Sequence, residues 1–88
     1  MQVEFLDKFY RDIDGINVKS VKIRLIKLID LLESAENLDV IPNIKKLTGH
    51  KSAYRVRIAD YRVGFFFEGN TVLLARVVHR KDIYKVFP

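Results

Sequence analysis

An α+β domain is predicted, a two-layer sandwich in the order β-α-α-β-β-β with a helical hairpin on one face of a mainly antiparallel sheet. Three observations predict it. Two stretches before residue 36 carry apolar residues at helical spacing. From Tyr54 to His79 the periodicity falls to two, in segments rich in Val, Ile, Phe and Tyr. Turn-forming residues stand at the reversals: Gly15, Pro42-Asn43, Asp60 and Gly69-Asn70.

The chain begins with a short strand over Gln2 to Phe5. Asp7 is placed to cap a helix whose apolar face is Phe9, Tyr10 and Ile13 and which Gly15 ends. Asn17 is placed to cap a second helix, with Ile16 and Val21 spaced as a hydrophobic staple. Val21, Leu25, Leu28 and Leu32 form the buried stripe of this helix, which the spacing predicts over Val18 to Ala35. Glu36 to Ile44 reads as a loop. Strands follow over Tyr54 to Ala59, Tyr61 to Phe67 and Thr71 to His79, the last two joined by a tight hairpin at Glu68-Gly69-Asn70. Phe65, Phe66 and Phe67 put rings on both sheet faces. The helices can cover only one of them, so an apolar surface for a partner is expected opposite.

Composition narrows the class. With 88 residues, 49% hydrophobic and 31% charged, the chain reads as one globular domain, residues 1–88. The absence of cysteine rules out disulfides and removes the usual ligand for zinc or thiol chemistry. Early acidic residues and the lack of a long apolar run argue against a signal peptide or membrane span, so an intracellular, cytoplasmic protein is the expectation. Two distant histidines make no metal site, and no glycine-rich phosphate loop is present. Ser20, Ser34 and Ser52 lack a nucleophile context, and acidic residues near the sheet are too few for a two-metal nuclease. No cofactor is expected.

Charge is distributed unevenly. Lys45 to Pro88 holds ten basic and three acidic side chains, whereas Met1 to Ile44 holds six basic and eight acidic. In Tyr54-Arg55-Val56-Arg57-Ile58, strand alternation sends Arg55 and Arg57 to one face and the apolar residues to the other. An apolar back with guanidinium groups on its front suits a polyanion such as RNA. Basic residues spread along strands rather than one amphipathic helix argue against a membrane.

Four signatures in order, Lys46-Leu47-Thr48-Gly49, Tyr54-Arg55-Val56-Arg57, Asp60-Tyr61-Arg62-Val63 and His79-Arg80-Lys81-Asp82-Ile83-Tyr84, resemble the RelE/ParE superfamily of toxins from toxin–antitoxin pairs. The resemblance runs from Phe5 to Tyr84. It implies a ribosome-dependent endoribonuclease that cuts messenger RNA in the decoding site and is held inactive by a RelB-like antitoxin. By this resemblance the partners are that antitoxin, the ribosome with its small-subunit ribosomal RNA, and messenger RNA. Operator DNA would be contacted only through the antitoxin. With only four residues beyond Tyr84, the long C-terminal helix of some relatives is not expected.

Metal-free RNA cleavage by the 2′-hydroxyl needs that hydroxyl deprotonated, the phosphorane charge stabilised and the 5′-oxygen protonated. Arginine remains charged, so Arg55, Arg57, Arg62 and Arg80 are the candidate charge-stabilising set. These four positions also match the basic residues such ribonucleases use. For proton transfer, His79 offers an imidazole suited to neutral pH. Tyr84 offers a phenol, or a ring to stack on a base. Several relatives carry lysine where this chain has Arg55 and Arg57, which shifts proton transfer toward His79 or Tyr84. Lys45, Lys46, Lys51 and Lys81 are candidate contacts to RNA phosphates. Arg76 is assigned a structural or antitoxin-binding part, and His50 in its polar loop is expected to be exposed. A gyrase-poisoning ParE-like toxin and a toxin homologue that has lost catalysis are the alternatives.

Overall fold

The computed structural model describes Met1 to Pro88. Its elements are β1 (Gln2–Phe5), α1 (Asp7–Asp14), α2 (Lys19–Ser34), β2 (Ile44–Lys46), β3 (Ala53–Ile58), β4 (Tyr61–Glu68), β5 (Thr71–His79) and α3 (Ile83–Val86), with a single 3₁₀ turn at Leu38–Val40. The sheet order is β1-β5-β4-β3-β2. Only β1 runs parallel to its neighbour β5; the other pairs are antiparallel. The α+β architecture read from the sequence is therefore present, with two additions, β2 and α3. No helix is long and apolar enough to cross a membrane.

Both long helices lie on one sheet face because their apolar stripes have nowhere else to go. Phe9 of α1 and Val21, Leu25, Leu28 and Leu32 of α2 pack with Val56, Ile58, Val63, Phe65, Val72, Leu74 and Val77. The predicted caps are corrected by one residue each. Leu6 and Val18 hold the N-cap positions with no side-chain cap bond, and Asp7 is the first helical residue. Ile16 and Val21 are nevertheless both buried in the core, so the staple's apolar content survives without Asn17. The β4–β5 hairpin closes as predicted through Gly69 and Asn70, at φ 54 and 64, the left-handed pair that a two-residue turn matching strand twist requires. Between β3 and β4, Ala59 is in the turn at φ 51 rather than in the strand.

The second sheet face departs from expectation. Instead of remaining an open apolar surface, it carries a small core of its own: Leu47, Ala53, Ala75, Ile83 and Phe87, backed by Phe66 and Val78. The C-terminal turn supplies Ile83 and Phe87. An added Cβ at Gly64 would lie 2.5 Å from two atoms of the Phe87 ring, so the missing side chain is the seat for that ring. Short apolar spacing at Ile83 and Phe87 fits one helical turn, too short to stand out as a periodic signal.

One irregularity sets the far end of β5. Val63 pairs with Val77 and Gly64 with Arg76, but Phe65 pairs with Leu74, which leaves Ala75 as an extra residue. Such a bulge reverses side-chain parity beyond it. Val72 and Leu74 face the helices, and after the bulge so does Val77, while Ala75 and Val78 belong to the opposite face. Asp12 of α1 anchors the bulge, accepting bonds from Arg76 Nε (2.7 Å), Arg76 Nη2 (3.0 Å) and the Val77 backbone N–H (3.0 Å). The Arg76 guanidinium is raised above the ordinary arginine range, mainly by its hydrogen bond to Asp12, with burial opposing and the carboxylate charge adding. Arg76 is thus a structural residue.

Candidate functional site

β2, β3 and β4 form the floor of a cleft on the face away from the long helices. Period-two alternation places Arg55 and Arg57 on this face of β3, as the sequence predicts. The cleft has a volume of about 310 Å³ and is lined by Lys45, Arg55, Arg57 and Arg62 together with Asn43, Ile44 and Tyr84. Four cations line it and no carboxylate does.

The registers make this arrangement electrostatically costly. Lys45 stands directly opposite Arg55 on β2 and β3, and Arg57 directly opposite Arg62 on β3 and β4. Like charges facing each other across strands each cost roughly 0.2–1 kcal/mol, which an anion bound between them would relieve. The side chains are oriented by neutral groups. Asn43 Oδ1 accepts from Arg57 Nη2 at 3.0 Å, and the carbonyls of Ala59 and Tyr61 accept from Arg62 Nη1 at 3.1 and 2.9 Å. Arg55 has its guanidinium carbon 4.6 Å from the centroid of the Tyr84 ring, a cation–π contact that neutralises nothing. Tyr84 itself is 76% exposed, leaving ring surface free to stack on a base. Cations positioned by carbonyls and a ring, with no counter-ion, form a preorganised anion site.

The other expected residues fall outside the lining. His79 stands apart from the cleft. It lines a separate cavity with Arg11, Asp12, Tyr61 and Asp82, its ring meets Tyr61 edge-on at 5.6 Å, and its Nδ1 accepts the Lys81 backbone N–H. The bulge at Ala75 is the cause, because it turns the end of β5 over and pairs His79 with Tyr61 on the helix side. Arg80 lies at the β3–β4 turn with its guanidinium 3.9 Å from Asp60, both side chains largely exposed, a contact too loose to hold either. Among the lysines, Lys45 lines the cleft. Lys46 points to the opposite face, its Nζ 5.9 Å from the Tyr54 ring, while Lys51 and Lys81 are exposed on loops.

Asn43 was missed by the sequence reading. It sits at φ 59, in the left-handed region where asparagine is favoured, and the Pro42-Asn43 turn was the available signal. What sequence alone lacked was β2, which brings that turn alongside β3. No three His, Asp or Glu side chains come together in a metal-holding group.

These elements define an α+β protein whose sheet carries a basic cleft without a counter-ion beside Tyr84. Residues 3–84 match the family described as ParE toxin of type II toxin–antitoxin system, parDE. Toxin RelE3 of Methanocaldococcus jannaschii is 34% identical over 89 residues, spanning 100% of both chains. Among solved structures, a chain of the RelB–RelE antitoxin–toxin complex from Methanococcus jannaschii superposes with a TM-score of 0.84 at 30% identity, covering 97% of this chain and 99% of that one. The YoeB dimer of Staphylococcus aureus shares the fold at TM-score 0.70 and 18% identity, over 86% of this chain and 92% of its own. The chain belongs to the RelE/ParE superfamily of type II toxin–antitoxin toxins, on its RelE side.

Proposed function

We propose that this toxin is a ribosome-dependent endoribonuclease that cuts translated messenger RNA in the ribosomal A site. The observation that carries the proposal is the convergence of Arg55, Arg57 and Arg62 beside Tyr84 in one cleft without a carboxylate. The scissile phosphate sits between the opposed Lys45/Arg55 and Arg57/Arg62 pairs. As the 2′-oxygen attacks phosphorus, charge grows on the non-bridging oxygens, and the guanidinium groups stabilise it. Each well-placed donor contributes roughly 3 kcal/mol, or about 100-fold in rate. Arg80, free of any tight partner, swings in as a fourth guanidinium. Tyr84 stacks on a splayed base and brings its hydroxyl to the 2′-oxygen. Lys51 and Lys81 contact ribosomal RNA phosphates from the rim, and Lys46 does so from the other face. His79, where it stands, takes no part in proton transfer.

The inhibitor in this reading is a RelB-like antitoxin whose acidic segment covers the cleft and supplies the missing counter-ions. One relative of known structure was solved as an antitoxin–toxin complex, which supports that expectation. Operator DNA is contacted only through the antitoxin.

Purified protein is expected to cleave messenger RNA on programmed ribosomes and to leave the same RNA intact when free. Equal cutting of free RNA, or no cutting in either case, overturns the proposal. The matching family description names ParE, which favours a second reading, poisoning of DNA gyrase. A supercoiling assay run beside the cleavage assay separates the two.

A further inference from the structure

A groove separate from the cleft opens on the helix side of the sheet, between α2 and the end of β3. Arg24, Lys27, Leu28 and Leu31 recur at helical spacing, so one stripe of α2 forms its wall. Val56 and Ile58 face it from β3, and Pro42 closes the edge where β2 has not yet begun. Its volume is about 210 Å³, room for a large apolar side chain, since a cavity of about 150 Å³ holds benzene. Arg24 and Lys27 are exposed, and so is Arg57, which reaches the rim from the sheet. The chain's two ion pairs are Arg76 with Asp12 and Arg80 with Asp60, so none of these three cations has a carboxylate partner. No acidic residue lines the groove.

Apolar walls under a rim of unpaired cations select one kind of occupant. A purely acidic ligand would leave Leu31, half-buried, and Pro42, exposed, still facing water. A nucleobase would find nothing to stack on, because no aromatic side chain lines the groove. We propose that this groove docks an acidic, amphipathic peptide segment of a partner protein. The segment seats an apolar side chain between α2 and β3 and pairs carboxylates with Arg24, Lys27 and Arg57. Docking itself does not depend on the nuclease reading, whereas its effect on the cleft rests on it. Arg57 and Asn43 line both cavities, with Arg57 Nη2 held on Asn43 Oδ1 at 3.0 Å. A carboxylate that takes Arg57 in the groove withdraws it from the phosphate, so peptide and substrate weaken each other's binding.

The test selects a displayed library of random peptides on the purified full chain and measures the selected peptides, freed, by fluorescence anisotropy. They are expected to combine Asp or Glu with an apolar anchor, and serine in place of the anchor should weaken binding about tenfold or more. Arg24→Glu with Lys27→Glu changes two exposed residues outside the proposed catalytic set. This double variant should weaken binding about tenfold or more at an unchanged melting temperature. Arg55→Ala, which alters the cleft and not the groove, should change it less than about twofold. Selected peptides that are basic, that tolerate loss of the anchor, that ignore the charge reversal or that depend on Arg55 overturn the proposal, as does a selection that yields none. The same peptides are added to programmed ribosomes. Slowed cleavage supports competition for Arg57, and unchanged cleavage at saturating peptide overturns it. A wild-type chain that cuts nothing overturns the nuclease reading alone, because the binding measurement involves no ribosome.

Discussion

Phe87 packs its ring against the bare backbone of Gly64, the residue paired directly with Arg55 across β3 and β4. This contact connects the second core to the cleft. It seats the terminal turn so that Tyr84, three residues earlier, lies over the Arg55 guanidinium. Gly64→Ala would force the ring away, since a Cβ would sit 2.5 Å from it. The expected outcome is a loss of about 1–3 kcal/mol in urea unfolding and a fall in cleavage larger than the stability change explains. Gly69→Ala is the contrast, because nothing lies within 4 Å of the added Cβ there. It should disturb only the turn and leave cleavage intact.

The proposed reaction gives Tyr84 two separable roles, a ring that stacks and a hydroxyl that moves a proton. Being 76% exposed, it can be changed without loss of core packing. Tyr84→Phe should retain substrate binding and lose about 100-fold in single-turnover rate. Tyr84→Ala should lose both, and melting temperature should stay near wild type for each. Equal single-turnover rates for Tyr84→Phe and wild type would remove the hydroxyl from the mechanism.

Arg80 and Asp60 test whether a loosely held cation reaches the substrate. Their 3.9 Å contact between exposed side chains contributes nothing to stability that need be counted. Asp60→Ala should leave cleavage unchanged or raise it, whereas Arg80→Ala should lower it about 100-fold with an unchanged unfolding midpoint. Arg57→Ala and Arg62→Ala should lower cleavage at least as far. Because each removes one member of a like-charge pair, neither should destabilise the fold beyond about 0.5 kcal/mol.

Asp12 and Arg76 predict a stability effect with a defined pH dependence. Asp12→Asn breaks a largely buried ion pair and weakens the cap on Val77 N–H, so a loss of about 2–3 kcal/mol is expected. The Arg76 shift is upward, so its stabilisation is complete below the unfolded-state value and is lost only above the still higher folded value. Both lie beyond the alkaline range of an ordinary unfolding experiment. The difference between wild type and Asp12→Asn should therefore be the same at pH 7 and pH 9. A difference that shrinks over that interval would show that this pair does not carry it.

Much of the architecture is legible along the chain because its signals are local. Val21, Leu25, Leu28 and Leu32 repeat at the helical period, and Tyr54 to Ile58 alternate at the strand period. Gly69 and Asn70 tolerate the left-handed backbone their turn requires. The direction of Arg55 and Arg57 follows from that alternation alone. Elements held by distant partners are different. β2 is three residues long and exists because β3 pairs with it, and α3 is one turn held by Ile83 and Phe87 against the far face.

What only the tertiary structure decided is which functional side chains share a cleft. Unbroken alternation from Val72 and Leu74 would put His79 on the same face as Arg55. One extra residue at Ala75, pinned by an aspartate sixty-odd positions earlier in the chain, turns it to the helix side. The same sheet brings Arg62 of β4 into the cleft with Lys45 of β2 and Arg55 and Arg57 of β3. Side-chain identity and local period are written in the sequence. Face, neighbour and register beyond a bulge depend on pairings between segments far apart, and those are settled only when the whole sheet closes over its core.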